Sequence, residues 1–255
     1  MGRLEQGAPA PRKVMTLFYL IDTSGSMSGT RITTVNRAMQ ETFPLLEEVA
    51  RANDDAEIKV AIMQFSNGCS WVTPASGPVG LENIIYNPLD ANGLTDFGAA
   101  LTELDKKLSR NEFLNTMTGA YAPVILLLSD GGPTDTAVWP NALNELKKNK
   151  WFQHAIKIAI DIESGSDRSV LEKFTGNPEA ILDAKNMDAL KTMIYKVSVR
   201  ASEFQSHSKE SGDTITTAEE DAGNIVKQVN GEINDDNSGT VGDDKNAYGE
   251  WGEGW

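Results

Sequence analysis

Two almost wholly apolar runs constrain this chain more than any other feature. Val14–Ile21, apart from Thr16, and Val124–Leu128 carry large apolar or aromatic side chains at successive positions, without the polar alternation of a half-exposed strand. A strand can be apolar on both faces only if both faces are covered, which is the situation of a parallel sheet between two helical layers. Each run stops close to a carboxylate, Asp22 in one case and Asp130 in the other. In open parallel sheets, ligands bind beyond the C-terminal ends of the strands, beside the point where strand order reverses.

The rest of the chain fits the same plan. Residues Ile32 to Ala52 place Ile32, Val35, Met39, Phe43, Leu46 and Ala50 on one helical stripe, with Pro44 predicting a kink or local break. Glu57–Phe65 reads as a second strand. Ser66-Asn67-Gly68 is a turn, so Cys69–Thr73 is expected to return as an antiparallel edge strand. Helices are expected from Asp96, as N-cap, to about Leu108, over Val138–Lys148, over Asp167–Phe174 and over Met187–Ser202. Strands are expected at Pro123–Ser129, Ala155–Ile162 (with His154 opening that strand) and Ala180–Leu182. The fold class is therefore α/β: a doubly wound, mostly parallel sheet with one antiparallel edge strand and helices on both faces.

Three segments follow: a flexible N-terminus at 1–13, the α/β domain at 14–204, and an acidic, largely disordered tail at 205–255. Residues 205–255 hold 12 acidic and 3 basic side chains, most of the formal net charge of −14. Within the tail, Thr217 and Glu220 form a capping-box pattern ahead of Ile225, Val226 and Val229, predicting a short helix over 218–230 that ends at Gly231. Trp251 and Trp255 close the chain as possible anchors for a partner. The acidic balance argues against nucleic acid or an acidic membrane surface as partners. Cys69 is the only cysteine, which excludes an internal disulfide and a cysteine zinc site, and fits a reducing compartment. Val14–Ile21 is too short to span a bilayer, and the expected location is cytoplasmic.

The chemistry is concentrated after the first apolar run. Asp22-Thr23-Ser24-Gly25-Ser26 is a D-x-S-x-S pattern whose carboxylate and hydroxyl oxygens are hard ligands for a hard divalent cation. Gly25 is expected to let the backbone turn tightly, so that Ser24 and Ser26 face Asp22. The bland alternative is an N-cap ahead of a helix. Asp130 ends the strongest strand, and Thr95 lies in the loop Gly93-Leu94-Thr95-Asp96, which opens at the same edge. Convergence of three loops on one ion predicts a site of Asp22, Ser24, Ser26, Thr95 and Asp130. Such a site favours Mg2+, with Mn2+ next and Ca2+ possible, since Ca2+ usually recruits more carboxylates. Asp96 reads as a helix cap, and Asp135 as either an outer ligand or a turn residue. Met27 and Met39 are expected in or near the core.

These residues, in this order, resemble the von Willebrand factor A domain and its metal-ion-dependent adhesion site, over roughly Val14 to Phe204. The resemblance implies that Ser24, Ser26 and Thr95 bind the cation directly or nearly so, with the two aspartates often acting through water. It further implies one coordination position left open for a partner's carboxylate. Asp22-Thr23-Ser24-Gly25-Ser26-Met27-Ser28-Gly29 and Leu128-Ser129-Asp130-Gly131-Gly132-Pro133-Thr134-Asp135 are most similar to cytosolic bacterial proteins of the tellurite-resistance group. That group is associated with stress and phage-defence loci, and some members with a protein kinase and a PP2C-type phosphatase. Some carry a C-terminal zinc ribbon, which a chain with one cysteine lacks.

The function expected is thus a metal-dependent protein-interaction module that captures a partner's Glu or Asp, and not an enzyme. The alternative is a metal-dependent phosphohydrolase using the Asp22 loop. Position 24 is Ser where the phosphoaspartate pattern D-x-D has its second acid. The loop differs from the Asp-Thr-Gly loop of aspartic proteases by the extra Ser24, and no phosphate-binding G-x-x-x-x-G-K-[S/T] occurs.

Overall fold

The computed structural model describes residues 11–54, 56–162, 168–184, 187–207 and 217–238. In chain order the elements are β1 (Lys13–Asp22), α1 (Thr30–Ala52), β2 (Ala56–Ser66), β3 (Gly68–Trp71), β4 (Val79–Gly80), α2 (Phe97–Lys107), β5 (Val124–Ser129), α3 (Trp139–Leu146), α4 (Lys150–His154), β6 (Ile156–Ile162), α5 (Arg168–Thr175), β7 (Ile181–Ala184), α6 (Met187–His207) and α7 (Ala218–Ser238). The sheet runs β3-β2-β1-β5-β6-β7. Its β2-β1-β5-β6-β7 section is parallel, and β3 lies antiparallel on the β2 edge. The short β4 adds a second antiparallel pairing to β2. Order reverses between β1 and β5, with Ile21 opposite Leu128.

The two apolar runs are buried on both faces, and the period-2 pleat divides them between two cores. Met15, Leu17, Tyr19 and Ile21 of β1, with Val124, Leu126 and Leu128 of β5, belong to a core shared with α1, α6 and α7. Phe18, Leu20, Ile125 and Leu127 point the other way, into a core shared with α2, α3 and α5. Tyr19 is fully buried, and its hydroxyl is paired with Ser198 Oγ on α6 at 2.7 Å. Met27 and Met39 are buried in the first core, as expected.

Several boundaries differ from the sequence reading. Pro44 does not break α1, which continues from Thr30 to Ala52. Its stripe is buried on both sides of the proline, through Ile32, Val35, Met39, Phe43 and Leu46, and packing outweighs the one hydrogen bond that proline cannot donate. The edge strand is Gly68–Trp71. The helix expected over Val138–Lys148 is interrupted: α3 ends at Leu146, and α4 starts afresh with Asn149 capping Trp151 N at 2.9 Å. His154 therefore ends a helix and does not open a strand.

The helix expected over 218–230 is α7, and it passes Gly231 to reach Ser238. Its capping box is formed, with Glu220 N donating to Thr217 Oγ1 and Thr217 N to Glu220 Oε2. Ala222, Ile225, Val226 and Val229 are buried in the first core. Ile233, past Gly231, packs partly buried against the same core and carries the helix beyond its local signal. At its start, Glu219 accepts from the buried Lys157 Nζ, which also donates to the Phe152 and Ala155 carbonyls. Residues 1–10, 208–216 and 239–255, including Trp251 and Trp255, lie outside the described residues.

Candidate metal centre

β1 delivers Asp22, and β5 delivers Ser129 and Asp130 beside it, because the two strands are parallel neighbours in the register given above. Asp22 is fully buried. Its Oδ1 accepts from Ser24 N at 2.9 Å, which bends the chain into a 3-10 turn over Gly25–Met27. Its Oδ2 accepts from Ser129 Oγ at 2.7 Å. Burial pushes the Asp22 carboxyl above the usual carboxylate range. Hydrogen bonds from Ser24 and Ser129 oppose that rise, and the neighbouring Asp130 charge adds to it.

The turn then places its hydroxyls in a row. Ser24 Oγ lies 3.0 Å from Ser26 Oγ, and Ser26 Oγ donates to Asp130 Oδ1 at 2.8 Å. Gly25 is not at positive φ; its role is to permit close approach. Gly25 N donates to the Gly93 carbonyl at 3.0 Å, and a Cβ on Gly25 would stand 3.2 Å from that same oxygen. The expected tight turn is formed, and Gly25 serves it at an ordinary φ by admitting the carbonyl of a distant loop.

Thr95 is placed by its backbone. Its N donates to Thr134 Oγ1 at 3.0 Å and its carbonyl accepts from Thr134 N at 3.0 Å, which stitches its loop to the one that follows Asp130. Leu94 N donates to Asn67 Oδ1, and Asp96 N to the Ser66 carbonyl, which fixes the loop against the end of β2. The Thr95 side chain is nearly buried, in a small cavity also lined by Ser129 and Gly131. Four of the five candidates, Asp22, Ser24, Ser26 and Asp130, are joined through a short hydrogen-bond chain that includes Ser129, and Thr95 stands beside that chain.

Asp96 caps α2 by accepting from Ala99 N. Asp135 accepts from Gly98 N at 2.7 Å and Phe97 N at 3.3 Å, so it ties down the start of the same helix. The alternative left open for Asp135 closes in favour of a structural role.

Sequence reasoning missed two residues. Ser129 is the one hydroxyl in an aliphatic strand, a signal that was there to be read. Arg31 Nη1 donates to Asp130 Oδ2 at 2.7 Å and to the Ser26 carbonyl at 2.8 Å. A basic residue in the first turn of a helix runs against the helix dipole and was the available clue.

The donor set fits a hard divalent ion. Octahedral coordination at about 2.1 Å sets neighbouring oxygens about 3.0 Å apart. The steps Ser24 Oγ to Ser26 Oγ and Ser26 Oγ to Asp130 Oδ1, at 3.0 and 2.8 Å, match such an edge. Among the described residues no three His, Cys, Asp or Glu side chains cluster, so hydroxyls carry much of any coordination here. The chemistry is that of a weakly charged oxygen site. An ion held so keeps much of its electrophilic character.

Comparison with known proteins bears on the fold. No curated protein matches the sequence. Solved structures do match at the level of fold. A von Willebrand factor type A protein from Catenulispora acidiphila superposes with a TM-score of 0.54 at 17% identity, covering 74% of this chain and 42% of that one. Proximal thread matrix protein 1 from the mussel byssus, with a zinc-occupied MIDAS motif, gives 0.55 at 17% identity, with 76% and 49% covered. A mutant of the PilB minor pilin from Streptococcus sanguinis gives 0.56 at 15% identity, with 80% and 64% covered. The chain thus spans from under half to just under two thirds of the length of these structures. Among the described residues no helix is long and apolar enough to cross a membrane. The family model for the von Willebrand factor type A domain matches residues 17–133, an interval that holds all five candidate ligands, and the fold of the chain is that of such a domain.

Proposed function

We propose that this protein is a metal-dependent protein-interaction module. Asp22, Ser24, Ser26, Thr95 and Asp130 hold one divalent ion, Mg2+ in the first place and Mn2+ next, and a Glu or Asp of a partner protein completes its shell. The observation that carries the reading is the oxygen edge Ser24–Ser26–Asp130 at octahedral spacing, backed by the buried Asp22. Two carboxylates balance a dication and the hydroxyls add no charge, so the ion stays able to attract an outside carboxylate. The protein acts by binding and not by turnover. Its setting is the bacterial cytoplasm, in a stress, tellurite-resistance or phage-defence system, with a kinase or PP2C-type phosphatase as partner. This setting is supported by the resemblance of its two Asp loops to that group.

The test has two arms. Isothermal titration with Mg2+ gives saturable binding to the wild type and none to Asp22→Ala or Ser26→Ala. Affinity capture from native lysate retains a protein in Mg2+ and loses it in EDTA. Binding that is equal in all three proteins, or capture indifferent to EDTA, rejects the reading.

A further inference from the structure

A cleft of about 470 Å3 lies beside the metal centre, between the β2–β3 turn and the loop that leads to Thr95. Thr23, which follows Asp22 in the chain, is part of its lining, and Asn92 N donates to the Thr23 carbonyl at 2.9 Å. One wall carries Gln64, Asn67 and Ser70, and the other carries Asp90 and Asn92. None of the lining side chains is basic, and Asp90 is the one carboxylate among them.

Asp90 is exposed, yet the backbone around it is fixed. The buried Asn36 side chain grips Leu89 twice, with Nδ2 donating to the Leu89 carbonyl at 2.9 Å and Oδ1 accepting from Leu89 N at 2.8 Å. The Ala91 carbonyl accepts from Ser28 Oγ at 2.8 Å. Asp90 thus stands between anchored neighbours, and among the described residues its carboxylate makes no ion pair or hydrogen bond. No cap, turn bond or counter-charge accounts for an acid at this place. The anchoring spares a ligand the entropy of ordering the loop.

The charges decide what the cleft takes. On the opposite wall the Cys69 thiol is pushed up by burial first, and then by the charges of Glu103 and Asp96. Both walls are therefore negative in character, which repels an anion and attracts a cation. Resting on the reading above, in which a partner's acid completes the metal shell, we propose that the cleft receives a basic side chain of the same partner. This is an Arg or Lys one or two residues from that acid, with Asp90 as its counter-charge. Asn92 is bonded to the metal loop at Thr23, and Asp90 is two residues from Asn92, at most about 7 Å along the chain. A short extended segment covers that span with its acid at the ion and its base in the cleft.

The test uses two acetylated, amidated pentapeptides, Gly-Glu-Gly-Arg-Gly and Gly-Glu-Gly-Ser-Gly. Each is titrated into the full chain, as wild type and as Asp90→Asn, in Mg2+ and in EDTA, with binding followed by NMR. In Mg2+ the arginine peptide is expected to bind the wild type roughly three- to fivefold tighter than the serine peptide at low salt, the share of an exposed ion pair. In Asp90→Asn that advantage disappears, while the serine peptide keeps its wild-type affinity. Equal affinities of the two peptides for the wild type, or an arginine advantage that survives in Asp90→Asn, overturns the inference; Mg2+-dependent binding of the serine peptide then leaves the metal reading standing. Arginine-peptide binding that persists in EDTA and is lost in Asp90→Asn, with no serine-peptide binding in Mg2+, upholds the cleft and rejects the metal reading. No binding of either peptide overturns both.

Discussion

Ser129→Ala offers a clean test of how the site is held. Asp22 is fully buried, and Ser129 Oγ supplies a 2.7 Å hydrogen bond to Oδ2. Replacing the hydroxyl by hydrogen leaves that oxygen without its donor. A hydrogen bond to a charged group contributes about 1.5–3 kcal/mol, and the lost oxygen leaves too small a void to add much. We expect a loss of about 2 kcal/mol, or roughly 4–8 °C in Tm for a domain of this size. The sign with pH follows from Asp22, whose carboxyl lies above its ordinary 3.8 in the fold. Such a group burdens the fold when ionised: the relative stability is present below the unfolded pKa and is lost as pH rises through the folded one. Without Ser129, one of the bonds that hold the folded pKa down disappears, so the folded pKa rises further. The deficit is therefore full at neutral pH and shrinks as pH falls through the raised folded pKa, before the ordinary carboxyl range is reached. Urea unfolding at neutral and acid pH measures both quantities, provided the slope m is unchanged. An equal midpoint at neutral pH, or a deficit as large in acid, refutes the claim that Ser129 supports an ionised Asp22.

Two further outcomes test the fold around the site. Val229→Asp puts an unpaired carboxylate where α7 is fully buried and is expected to release that helix at a cost of several kcal/mol. Hydrogen exchange should then show fast α7 amides while β1 and β5 stay protected; unchanged protection of α7 contradicts its packing. Burial first, and then the charges of Glu103 and Asp96, push the Cys69 thiol up from 9.0 to about 11. Its alkylation at neutral pH should be roughly a hundredfold slower than that of an ordinary thiol, with the rate rising tenfold per pH unit toward a midpoint near that value. A midpoint near 9 would refute it.

The parallel sheet was legible because β1 and β5 are apolar at nearly every position, and only a doubly covered strand tolerates that. The junction of Asp22 and Asp130 was legible for the same reason, since both follow such strands. The loops were not. Nothing local in Gly93–Asp96 reveals that Asn67, Ser66 and Thr134 hold it, because those bonds join segments far apart in sequence. Gly25 sits in the expected turn, but its contact with Gly93 is not visible in the local sequence. The capping box marks the start of the helix after Thr217, but Gly231 does not mark its end. Its extent past Gly231 comes from Ile233, which packs against the first core. Pro44 fails to stop α1 for a related reason: a buried stripe on both sides keeps the helix whole.

The pairing of Ile21 with Leu128 has an evolutionary corollary. Sliding β5 by a single residue against β1 would swap Leu126 and Leu128 with Ile125 and Leu127 between the two helical layers, so the offset between the acids that follow can change only in steps of two. Drift cannot tune the spacing of Asp22 and Asp130 gradually. Variation is confined to what overhangs them, and relatives should diverge at the exposed Leu94 long before they diverge in the rungs beneath.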